Sequence, residues 1–196
     1  MSANAIAMMT EALRSVLEAT VSGTVFTGPP SDSQAGSATA SLFLYHLEPN
    51  ADLRNSPYLD GLRSRGAPGT GEPEGNPPSA AIPFDLRYII SVSREPGLAP
   101  GSSPNELITL GQIIQALHAT PVLTGAKLPG QTVRVTPDPV SMEEISRVWS
   151  LFPETPYRTS IVYLATPVFV DADEALFGQR VLEVTRSAGR LEEASS

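Results

Sequence analysis

Two stretches of the chain carry a two-residue period that extended backbone satisfies and a helix does not. In residues 82–93, IPFDLRYIISVS, the side chains of Phe84, Leu86, Tyr88, Ile90 and Val92 fall on one face. In residues 39–47, TASLFLYHL, apolar residues fall on both faces: Leu42 and Leu44 on one, Phe43, Tyr45 and Leu47 on the other. A strand apolar on both sides is either central in a sheet covered above and below, or gives one face to another subunit. The chain must therefore build a sheet with a partner layer on each side.

The covering layers come from three segments of helical period. Residues 3–19 place Ile6, Met9, Leu13, Val16 and Leu17 on one face, and Gly23 is the expected stop. Ser103-Pro104-Asn105-Glu106 has the form of a capped helix start, after which Leu107, Leu110, Ile114 and Leu117 make an apolar face up to Pro121. Ser141-Met142-Glu143-Glu144 repeats the capping pattern and opens a helix with Ile145, Val148 and Phe152 on one side and Trp149 beside them. Further strands are expected at residues 24–27, at 131–136 with Val133 and Val135 paired, at 161–170, and weakly at 180–185. Pro167 inside the third of these predicts a bend or an edge position. The fold class is thus α/β (α+β), a single domain with a mixed sheet flanked by about three helices. The domain runs over residues 1–187, with a flexible tail at 188–196. Residues 56–80 form a Gly/Pro-rich excursion too long for an idle connection, so it is either a disordered insertion or a functional loop.

A single domain suits the 196 residues, and a chain of this size buries about 70% of its unfolded surface without a disulfide or metal. It has no Cys, which removes thiolate chemistry and Cys-ligated zinc. The formal charge is −8, and the 13 Lys and Arg form no basic run, so nucleic acid and anionic membranes are disfavoured as partners. Residues 1–17 lack the basic start and continuous apolar core of a secretory signal, and no run approaches the roughly 20 apolar residues that cross a bilayer. The expected location is the cytoplasm of the producing cell.

No constellation in the sequence points to catalysis. His46 and His118 are isolated from each other and from companion ligands at metal-site spacing, so no metal site is expected. Asp171, Asp173 and Glu174 lack the remaining ligands and the glycine of a calcium loop. Glu143 and Glu144 suit a helix N-terminus better than acid–base work. Gly66, Gly69 and Gly71 follow no strand and precede no Lys-Ser/Thr, so they make no phosphate cradle. No Gly-x-Ser-x-Gly elbow occurs. The expectation is a protein with no catalytic residues and no cofactor.

Four segments in order resemble one family. LFLYHLEPNADLRN (residues 42–55), PFDLRYIISV (83–92), LGQIIQALHATPVL (110–123) and EEISRVWSLFPETPYRTSIVYLATPVFV (143–170) are similar to the cap, or tail-terminator, proteins of phage-tail-like contractile injection systems, as in antifeeding-prophage and virulence-cassette particles. The resemblance covers roughly residues 5–171. The Gly/Pro-rich composition of residues 56–80 departs from the family pattern, so no family contact carries over there. The resemblance implies the fold of phage tail terminators. It also implies a homohexameric ring, with the inner tube protein and the sheath protein as partners. Such a ring ends their polymerisation at the end distant from the baseplate. Another tail component, such as a tube–baseplate adaptor, and an unrecognised enzyme are the alternatives. On the motifs fall Glu48, Asn50, Arg54 and Asn55, which the resemblance makes either a subunit interface or formers of a turn. Arg147, Trp149, Tyr157 and Arg158 fall on the closing motif as further interface candidates, with Trp149 equally suited to the core.

Overall fold

The computed structural model describes residues 4–31, 33–54, 81–93, 97, 99 and 103–171. Among these residues six strands form one mixed sheet: β1 (Val25–Thr27), β2 (Ala40–Pro49), β3 (Ala81–Val92), β4 (Val122–Leu123), β5 (Val133–Pro137) and β6 (Ser160–Asp171). Their order is β1-β2-β3-β6-β5-β4, parallel between β1 and β2 and antiparallel elsewhere. The helices are α1 (Ala5–Glu18), a single turn α2 (Ala51–Arg54), α3 (Pro104–Ala119) and α4 (Met142–Ser150). The expected strand at 180–185, the excursion at 56–80 and the tail at 188–196 lie outside the described residues.

The alternation of β3 is borne out. Leu86, Tyr88, Ile90 and Val92 are buried in the larger core, and Phe84 packs against it. Helices α1 and α3 close this face, with Met9, Leu13, Leu17, Ile113 and Leu117 buried beneath them. Each fully buried aliphatic side chain contributes about 1.5–3 kcal/mol, so this layer dominates the stability. Tyr88 is buried with its hydroxyl 2.9 Å from Thr10 Oγ1 on α1. Burial pushes that hydroxyl's pKa up to about 12. The opposite face carries a smaller cluster of Ile89, Val162, Val148 and Trp149, with Phe43, Tyr45 and Phe152 packed on it under α4.

Four expectations need correction. Leu47 does not share a face with Phe43 and Tyr45. A bulge between Leu44 and His46 puts one extra residue into β2, so Leu47 pairs with Leu86 and is left 45% exposed. On α3 the expected face is rotated: Leu107 and Ile114 are exposed, while Ile113 and Leu117 are buried and Leu110 packs against the core. The strand containing Pro167 is central, flanked by β3 and β5. Its irregularity is a register shift opposite Phe84 and Leu86, beside the cis Thr166–Pro167 bond. Farther along, the Gln131 side chain replaces a strand neighbour, donating to Phe169 O and accepting from Phe169 N, each at 3.0 Å. Finally, α1 ends at Glu18 rather than at Gly23. Gly23 serves the turn into β1, where φ is +144° and a Cβ would fall 2.0 Å from Thr39 Oγ1.

Candidate functional site

The polar end of β2 meets β3 and the loop after β5 on the α4 side of the sheet. The bulge turns both Tyr45 and His46 to this side, their rings 6.4 Å apart. Arg87, the cross-strand partner of His46, is the hub. Its Nε donates to Asp138 Oδ2 at 2.8 Å and its Nη1 to Glu48 Oε1 at 2.5 Å. His46 Nε2 lies 3.6 Å from the other Glu48 oxygen. Arg87's hydrogen bond and charge hold the Glu48 carboxyl below its ordinary range. The bond to Asp138 is the main cause that raises the Arg87 pKa, with Glu48 adding to it. The Tyr45 hydroxyl donates to Glu144 Oε1 on α4 at 3.2 Å; burial, then the Glu144 charge, push its pKa up.

Asn50 settles the turn. Its backbone N–H donates to Pro83 O at 2.9 Å, and its side-chain oxygen accepts from Leu53 N at 2.8 Å, opening α2. Its amide nitrogen donates to Asp85 Oδ1 at 2.9 Å, which also accepts from Thr166 Oγ1. These bonds fit a residue that forms the turn and ties β2, β3 and β6 together. Arg54 is the last residue of α2; Asn55 lies outside the described residues.

The closing-motif residues divide in two. Trp149 is buried against Phe152 and Tyr157, with ring centroids at 6.3 and 5.4 Å, and its indole N–H finds no acceptor. Arg158 reaches across the fold to donate to Ala35 O at 3.2 Å, and burial lowers its pKa. Arg147 stands in solvent, donating to Glu143 Oε1 at 2.6 Å one turn back. Tyr157 is 40% exposed. The structure therefore brings Trp149 and Tyr157 together, and places Glu48 and Asn50 in strand-linking networks that do not include Arg147.

Sequence reasoning missed Arg87, Asp85 and Asp138. A signal was present: Asp85 and Arg87 are the two charged residues, at alternate positions, of a largely apolar strand, which marks a polar path through a covered sheet face. Among the described residues, no three His, Asp or Glu side chains gather where a metal ion would sit. No helix among them is long and apolar enough to cross a membrane.

No curated protein matches the chain. Solved structures match its fold, two terminators among them. The sheath/tube terminator of an extracellular contractile injection system, PVC, in its extended state aligns with a TM-score of 0.55 at 20% identity, over 97% of this chain and 65% of that one. The anti-feeding prophage cap, a tube-terminating cap, aligns with a TM-score of 0.52 at 20% identity, over 96% of this chain and 62% of that one. The chain thus spans somewhat less than two thirds of the length of either terminator, and its α+β fold is theirs. The family described as the Pvc16 N-terminal domain matches residues 8–183, and the chain belongs to that family.

Proposed function

We propose that the protein is a structural cap that ends the inner tube and sheath of a contractile injection system. The observation that carries this reading is the family match over residues 8–183, joined to a fold shared with two tube terminators. In this reading the protein assembles in the cytoplasm as a homohexameric ring and seats on the last tube and sheath layer, at the end distant from the baseplate. It acts by shape rather than by catalysis. One surface fits the polymer end, and the other presents nothing onto which a further layer can add. The sheet edges support this. Among the described residues the outermost strands, β1 and β4, are only three and two residues long, which gives little backbone for strand-on-strand propagation. The networks around Arg87 and Asp85 join separate strands and suit a part that must hold its shape.

Deleting the gene and imaging the particles tests the reading. The expected result is absent, unstable or abnormally long tubes and sheaths; particles of normal number and length overturn it. Labelled protein should mark the end distant from the baseplate, and a label at the baseplate end would instead make it an adaptor.

A further inference from the structure

Helix α3 has its polarity inverted. Its one charged residue, Glu106, is buried, while Leu107, Ile108 and Ile114 are 52%, 58% and 38% exposed. The outward half, which also carries Gln115 and His118, contains no Asp, Glu, Lys or Arg. On the far face of the sheet, α4 offers a second incomplete surface. Met142, 70% exposed, lies seven residues before Trp149 on the same stripe, and half-exposed Tyr157 packs edge-on against Trp149. Beneath them the buried indole N–H lacks an acceptor, a cost of the kind that a protein rarely leaves in its working state.

We infer that the outward face of α3 docks onto the Met142–Trp149–Tyr157 surface of a second copy of this chain, and that this contact, repeated, makes the ring. The occupant follows from charge. Each chain carries a net −8, so copies repel over most of their surface; the uncharged half of α3 is where another copy approaches without setting like charges against each other. The geometry follows from topology. The two surfaces lie on opposite faces of one sheet, so the contact is head-to-tail, the kind that closes rings, and not a symmetric pair of identical patches. The chemistry is also complementary: the aliphatic residues of α3 meet the aromatic and Met surface of α4, and Gln115 and His118 add polar groups at its margin. The proposal deepens the ring reading above and rests on it.

The test uses the full chain and two exposed-site variants, Ile108→Glu and Met142→Glu, each of which should keep the wild-type melting temperature. Sedimentation and light scattering report the assembly state, and the emission of the sole tryptophan reports its surroundings. Wild type should associate, with Trp149 emission shifting as it does so. Each variant alone should associate at least about thirtyfold more weakly, the effect of losing a hot-spot contact. Mixed in equal amounts, the two variants should form a dimer and stop there, since one retains an intact α3 face and the other an intact Trp149 face. Wild-type association by either variant alone overturns the proposal. So does a mixture that stays monomeric, or a wild-type chain that is monomeric yet loses its place in particles on Ile108→Glu, which would give the face to a different protein. If copies join through these faces but particles lacking the protein are normal, the cap reading fails and the interface stands. If particles need the protein but accept Ile108→Glu, the reverse holds.

Discussion

Helices α3 and α4 cover opposite faces of one sheet and treat water in opposite ways. Helix α4 shows the ordinary pattern: Ile145, Val148 and Trp149 inward, with Phe152 just past its end, and Glu143 and Arg147 paired outward. Helix α3 has aliphatic residues on both sides and its only carboxylate inside. Helix α4 buries its stripe against its own sheet and leaves only the end at Met142 in solvent. A helix that is apolar all round still has surface to bury. The difference separates residues that hold this chain together from residues available to hold two chains together.

That separation is sharpest along α3 itself. Leu117 is fully buried beside Ile113, whereas Ile114, one position on, faces out. Leu117→Ala should lose about 2–5 kcal/mol, the sum of a lost transfer energy and a residual cavity. Ile114→Ala should stay within about 0.5 kcal/mol when measured at dilutions where the chain is monomeric. Denaturant unfolding of the two variants, read against wild type, checks the pair. Equal losses would mean that the outward face is part of the core, and the contrast between α3 and α4 would collapse.

This contrast also marks where the sequence was legible. Strand β3 was readable because Phe84, Leu86, Tyr88, Ile90 and Val92 alternate without a break, and helix α1 because Met9, Leu13 and Leu17 fix one stripe. On α3, six aliphatic residues among positions 107–117 satisfy more than one helical stripe, so periodicity chose Leu107 and Ile114 where the sheet chose Ile113. The side taken by Leu47 depended on a bulge at Tyr45 and His46 that no glycine announces. The Arg87 network joins residues 39 and 51 positions away, a range that local patterns do not reach. The motif residues Glu48 and Asn50 make hydrogen bonds within the chain, to Arg87 and to Asp85 and Leu53.

The start of α4 gives a middle-sized effect. Ser141 Oγ accepts from Glu144 N at 3.1 Å and satisfies one of the free N–H groups of the first turn, as the capping pattern implied. Ser141→Ala should cost about 1 kcal/mol, and Ser141→Asp should restore most of it. Thermal melts of both variants decide. An Ala variant as stable as wild type would show that α4 is held in place by its aromatic underside alone.

The smallest effect separates the two faces by acid. The Glu48–Arg87–Asp138 links lie on the α4 side of the sheet, whereas the α1 and α3 side is held by buried apolar residues and the Thr10–Tyr88 contact. The folded-state pKa of Glu48 lies below its ordinary 4.5, chiefly because Arg87 donates to it. The stability this provides is complete above that ordinary value and is lost as pH falls through the lower, folded one. Because Glu48 is almost half exposed, solvent screening keeps the contribution within about 1 kcal/mol. Glu48→Gln should therefore be slightly less stable than wild type at neutral pH, with the difference closing as pH falls below 4.5. Hydrogen exchange should show the change in β2 and at the β3 amides around Arg87, and leave α1 and α3 untouched. Acid-induced opening of α1 or α3 at the same pH would mean that the two faces share one electrostatic fate, and that the asymmetry between them is confined to their surfaces.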